Sequence, residues 1–161
     1  MRMAVQFKKE TIAEFESIAA RYPVRRAALL PALWLAQKEF GWISTDAMVC
    51  VADLVGCSPA QVLEVAQFYT MYQKKKPGKY HLQVCQTIAC ILNGSEEIKK
   101  TIERILNLKP GETTPDGKFS YQLVECLASC HTAPCMQVND DYHENLTPES
   151  TEKLINDLRK K

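Results

Sequence analysis

Charge of one sign, long apolar runs and nucleotide-binding glycine loops are all missing from this sequence. A formal net charge of +1 leaves no overall field to draw nucleic acid or a membrane surface. The basic run Lys74, Lys75, Lys76 is short and stands beside Pro77 and Gly78, so it reads as a solvated loop, with a docking patch for an acidic partner as the alternative. No stretch approaches the roughly 20 apolar residues that a membrane span requires. The start, MRMAVQFKKE, has no signal-peptide hydrophobic region, and the expectation is a cytoplasmic chain that reaches a membrane only through partners. There is no G-x-G-x-x-G and no G-x-x-x-x-G-K, so a nucleotide has no recognisable seat here. C-x-x-C, the spacing of a dithiol-exchange site, is absent as well.

What is present in quantity is cysteine. Seven cysteines in 161 residues are many for a chain without an export signal, and an odd number argues against a complete disulfide framework. Metal or redox chemistry explains them better. Four fall in two pairs, Cys85 and Cys90 in VCQTIAC, and Cys126 and Cys130 in VECLASC. Each pair follows a short alternating apolar run that reads as a strand, so the four thiols can converge at the ends of neighbouring strands. Soft thiolates suit an iron-sulfur core, and a 2Fe-2S cluster uses four of them, which makes electron transfer the reading of this chain. Structural zinc is the rival, since it too takes four thiolates, and Cys85-x4-Cys90 lies at the margin of its usual spacing. The loop amides around residues 86–89 and 127–129 are expected to point at sulfur. Cys50, on a helix, and Cys57, at a helix entry, read as packing residues. Cys135 could replace Cys130 as a ligand but reads as a core strand residue. His131, His81 and His143 lack the paired spacing of a Rieske centre.

The 46% hydrophobic content allows one ordinary domain or two small ones. The first part reads as helices. Ile12, Phe15, Ile18, Ala19 and Tyr22 share one helical face, ended by Pro23, and Leu29, Leu30, Leu33 and Phe40 share the next, with Pro31 near its start and Gly41 as a stop. Ser44 or Thr45 caps a third helix burying Met48, Val51, Leu54 and Val55, and Gly56 suits the left-handed position beyond it. Ser58-Pro59-Ala60-Gln61 opens a fourth, with Val62, Val65, Phe68 and Tyr69 as its buried face. At about Gln73 the period changes to two, which divides the chain into residues 1–73 and 74–161. Tyr80, Leu82 and Val84 predict a first strand. Asn93 or Ser95 caps a helix carrying Ile98, Ile102, Ile105 and Leu106 that Pro110-Gly111 stops, and a second strand ends at Cys126. A hairpin near 135–146 and a last helix from Thr147-Pro148, with Leu154, Ile155 and Leu158, complete a thioredoxin-like α/β arrangement. The fold class is thus α+β, a helical bundle followed by a small α/β domain.

Taken together, ALWLAQKEFGWIS, VAQFYTMY, the C-x4-C of VCQTIAC and the C-x3-C of VECLASC followed by HTAPCMQVND resemble the E-subunit family of bacterial respiratory NADH:quinone oxidoreductase, complex I. That family's fold is a thioredoxin-like 2Fe-2S ferredoxin. The resemblance implies that Cys85 and Cys90 hold one iron and Cys126 and Cys130 the other. It implies a flavin-bearing, NADH-oxidising partner subunit, with FMN and NADH bound there, and a place peripheral to the cytoplasmic side of the membrane. The equivalent subunit of an NAD-linked hydrogenase or formate dehydrogenase resembles it in fold and motif. The family commonly has glycine where Ala128 stands, a small residue where His131 stands, and small or branched aliphatic residues in place of Cys135 and Met136. Residues 1–73 would serve as the element that docks the flavoprotein.

Overall fold

Ser44 and Ser58 begin two helices by accepting the amide protons of Ala47 and Gln61, as their sequences require. Around Ser58 the capping box closes, because the Gln61 side chain accepts from the Ser58 amide in return. The computed structural model describes residues 5–161, and the first residues of the leading MRMAVQFKKE lie outside the described residues. The chain forms two units, one ending at Lys76 and one spanning Pro77–Lys161.

The first unit contains α1 (Lys9–Ala19), a 3-10 turn (Arg25–Ala28), α2 (Leu29–Phe40), α3 (Thr45–Val55) and α4 (Pro59–Phe68). Phe15, Leu33, Ile43, Val51, Val62 and Tyr72 form its core. Pro31 sits in the first turn of α2, where its missing amide proton has no intrahelical partner to lose. Gly41 and Gly56 both take left-handed backbone past the ends of α2 and α3. Arg25 binds both carboxylate oxygens of Glu16 at 2.7 Å and also reaches the Leu54 carbonyl, which joins α1 to the last turn of α3. Three residues expected inside are not. Phe68 is 78% exposed at the end of α4, where the chain leaves helical geometry at Tyr69 and the two rings meet edge to face; Ile12 and Tyr22 are also exposed, Tyr22 beyond the end of α1. No single helix among the described residues is long and apolar enough to cross a membrane; α3 and α4 approach that composition together but meet at 114°.

The second unit contains β1 (Tyr80–Cys85), α5 (Ile88–Leu92), α6 (Ser95–Leu106), β2 (Phe119–Val124), a 3-10 turn (Cys130–Thr132), β3 (Met136–Val138), β4 (Asp141–His143) and α7 (Pro148–Lys160). Its sheet runs in the order β2-β1-β3-β4. The β1-β2 pair is parallel, with Tyr80 opposite Phe119 and Cys85 opposite Val124. The other two pairs are antiparallel, with Val84 opposite Met136. Because side chains alternate along a strand, Leu82, Val84, Phe119, Tyr121, Met136 and Val138 share one face, and there they pack with Ile98, Ile102 and Ile155 of α6 and α7. The opposite face receives His81, Gln83, Ser120 and Cys85. The cysteine site therefore lies on the side of the sheet turned away from the main core.

Several element limits differ from expectation. A five-residue helix, α5, interrupts what the sequence presents as a loop. The helix after it, α6, has Gly94 at its cap position, left-handed at φ 97°, so neither Asn93 nor Ser95 is its cap. It stops at Asn107, also left-handed, before Pro110-Gly111 is reached. β2 ends at Val124, two residues short of Cys126, which leaves Cys126 on an irregular segment.

Candidate metal centre

Cys85 closes the central strand β1 and is buried. Its amide donates to the Cys135 carbonyl at 3.3 Å on one side, and the next amide, of Gln86, donates to Val124 on the other, so backbone bonds fix it from both neighbouring strands. Its Sγ lies 3.2 Å from the Thr87 hydroxyl and 3.3 Å from the Glu125 carbonyl. Glu125 immediately precedes Cys126. The Gln86 side chain also donates to the Glu125 carboxylate at 3.1 Å. Residues forty apart in sequence are thus held side by side, and the two cysteine segments adjoin.

Cys90 stands on α5 and is buried with Cys85 and Cys135; the three sulfurs lie within 4.8 Å of one another. Leu127 and Ala133 pack against them. Cys126 and Cys130 lie outside this trio and are exposed. Their segment is anchored from the hairpin: the Tyr142 hydroxyl donates to the Leu127 carbonyl at 2.9 Å, the Asn145 amide to Thr132 at 2.7 Å, and Ser129 and Thr132 both hydrogen-bond to the Glu144 carboxylate.

Sulfur-directed donors appear where loop backbone is free of a ladder. The Ala128 amide donates to Cys126 Sγ at 3.3 Å, and Ala128 itself takes left-handed backbone, φ 58°. This is the position where the resembling family favours glycine. Ile88 and Ala89 turn out to be helical, yet in the first turn of a helix their amide protons have no intrahelical acceptor and stay free for sulfur or water.

The electrostatics distinguish the thiols. Burial pushes Cys85 up, but hydrogen bonds from the Thr87 hydroxyl and amide, from Cys90 and from the Leu127 amide outweigh it, so Cys85 ionises below the ordinary thiol range. Cys90 is pushed up, chiefly by burial. Cys135 is pushed up to about 12 by burial and by the negative charge of its two thiol neighbours. Because the thiolate is the metal-binding form, Cys85 is the trio's readiest ligand. Burial also raises Cys50 and Cys57, which pack with the first unit, and Cys50 Sγ donates to the Val5 carbonyl at 2.6 Å. Neither helps to build the site.

The donor set fits an iron-sulfur cluster: thiols on adjoining segments, one of them readily ionised, with backbone amides directed at sulfur. His131 is exposed, and buried His81 bonds Ser120 across the sheet. The neighbourhood of Cys135 is what reading the sequence missed. Continuing the β1-β3 register one step past Val84 and Met136 sets Cys135 opposite Cys85, a signal available only once that pairing is known.

A family model described as thioredoxin-like [2Fe-2S] ferredoxin matches residues 15–159. The chain is 50% identical over 147 residues to NADH-quinone oxidoreductase subunit 2 of Thermus thermophilus, covering 89% of this chain and 81% of the relative. It is 44% identical over 146 residues to an E-subunit of NADH-quinone oxidoreductase from Rhizobium meliloti, covering 91% and 87%. Among solved structures, an NAD+-reducing [NiFe]-hydrogenase in the air-oxidized state matches with a TM-score of 0.73 at 19% identity, over 82% of this chain and 23% of that one. The last likeness concerns the fold alone, and this chain spans about a quarter of that hydrogenase chain.

Proposed function

This chain belongs to the thioredoxin-like [2Fe-2S] ferredoxin family, and on that premise we propose that it is the electron-transfer subunit of an NADH:quinone oxidoreductase. The observation that carries the reading is the junction of the two cysteine segments, where the Cys85 sulfur meets the backbone of Glu125 beside Cys126. Cys85 and Cys90 would hold one iron, and Cys126 and Cys130 the other. When bound, a 2Fe-2S cluster supplies the capacity to take up and release single electrons. The polypeptide holds the thiols in place, directs the Ala128 amide at sulfur and keeps one pair of ligands dry beneath Leu127 and Ala133. Exposed Cys126 and Cys130 make the edge open to a partner.

NADH and FMN bind on the partner, the flavin-bearing subunit, which residues 1–73 help to dock while 74–161 carry the cluster. The assembly is cytoplasmic and peripheral to the membrane. The hydrogenase likeness supports a shared fold, whereas relatives at 44% and 50% identity over most of the chain favour the quinone-linked complex over a hydrogenase or formate dehydrogenase.

Metal and sulfide analysis of the purified chain tests this reading. The expected result is about two irons and two acid-labile sulfides per chain, brown colour and a paramagnetic signal on reduction. One zinc and no colour would overturn it.

A further inference from the structure

Cys135 is a buried thiol that the proposed ligand set does not use. Its position follows from the sheet: Met136 pairs with Val84, so Cys135 stands opposite Cys85 on the face away from the main core. α5 brings Cys90 to that same face, and the Cys90 and Cys135 sulfurs lie 3.9 Å apart. Cys85 Sγ divides its contacts among Thr87, Glu125 and Cys90, whereas Cys90 Sγ and Cys135 Sγ face each other directly. The two sulfurs are already in contact, and a disulfide needs them to close to about 2.05 Å. Cys90 sits on a five-residue helix whose Ile88 and Leu92 are exposed, so only a short element separates this pair from solvent.

We propose that Cys90 and Cys135 form a reversible disulfide in the metal-free chain, one that withholds Cys90 from cluster assembly until it is reduced. The withholding rests on the reading of Cys90 as a ligand; the bond does not. A peroxide is the oxidant. One thiol sulfur takes a peroxide oxygen as the O–O bond breaks and water leaves, giving a sulfenic acid. The second sulfur then displaces that oxygen as a second water while the S–S bond forms. In sum two thiols lose two protons and two electrons, and hydrogen peroxide is reduced to two waters. A dithiol reductant reverses the bond by exchange and leaves as its own disulfide. The consequence is a gate: peroxide reaching the chain before iron produces a bond that holds back cluster assembly and that a dithiol reverses.

The test uses the full-length chain, freed of metal and reduced under anaerobic conditions, then given a short pulse of hydrogen peroxide, alkylated and digested for mass spectrometry. The expected result is one cross-linked peptide joining Cys90 to Cys135 and loss of two of the seven free thiols. Iron-sulfide reconstitution of the pulsed chain is expected to be lost and to return after dithiothreitol. Cys135→Val and Cys135→Ala, each checked by circular dichroism, are expected to take up iron and sulfide after the same pulse without reductant. A dominant Cys85–Cys90 or Cys126–Cys130 cross-link would overturn the proposal, as would a pulse that blocks these variants equally. Cys90→Ser, never oxidised, separates the two readings. If it assembles a normal cluster, Cys90 is not a ligand and the gate fails with that assignment, whereas a missing cross-link in the unsubstituted chain sinks the disulfide and leaves the ligand set standing.

Discussion

At the scale of single residues, burial and hydrogen bonding sort seven chemically identical cysteines into different roles. Cys85 and Cys90 are dry and central, Cys126 and Cys130 stand on an exposed segment, Cys57 packs against the helical core and Cys50 lies half-buried on α3. Cys126→Ser is expected to abolish or strongly destabilise the cluster, measured by the visible spectrum and bound iron. Cys50→Ser should leave both unchanged, since serine can still donate to the Val5 carbonyl. The reverse pattern would mean that the ligands are elsewhere. His81 makes a second prediction. Burial lowers its pKa from 6.5 to about 4, so between those values the unfolded chain binds a proton that the folded chain refuses. Its contribution to stability is complete above pH 6.5 and is lost as pH falls toward 4, by about 3 kcal/mol. Urea unfolding of the metal-free chain at pH 7 and pH 4.5, compared with His81→Gln, measures it; equal pH dependence in the two chains would refute the assignment.

At the scale of elements, the site depends on β1 lying tightly between β2 and β3. Gly78, just before β1, donates its amide to Ser120 Oγ, and a Cβ there would fall 2.5 Å from the Phe119 carbonyl carbon. Backbone cannot yield as a side-chain tip can. Gly78→Ala is therefore expected to destabilise the chain by about 1–3 kcal/mol through overpacking, read as a lower urea midpoint. An unchanged midpoint would show that the strand entry is looser than its geometry. Helix starts are legible in the sequence because a capping box is written in adjacent residues, as at Ser58–Gln61. A second box closes at Thr147–Ser150, where Thr147-Pro148 marks the entry of α7. Helix ends are less so. α6 stops on a left-handed Asn107, which carries a weaker signal than the Pro110-Gly111 downstream, and α5 is too short for periodicity to declare itself.

At the scale of the whole molecule, each unit buries its own core, one around Phe15 and Leu33 and one around Leu82 and Ile102. A chain beginning at Pro77 is expected to fold, assemble the cluster with an unaltered visible spectrum, and bind the flavin-bearing subunit more weakly. Co-purification and absorption measure the two halves of that statement, and undiminished binding would remove the docking role from the helices. The sequence by itself determined the succession of elements apart from α5, the change of period near Gln73 and the paired spacing of Cys85, Cys90, Cys126 and Cys130, because capping, alternation and ligand spacing are local properties written over a few residues. Only the tertiary structure decided that Cys85 abuts Glu125, that Phe68 stays outside, and that Cys135 joins Cys85 and Cys90. Those outcomes depend on strand register, where a shift of one residue turns a side chain to the opposite face, and on where a helix stops.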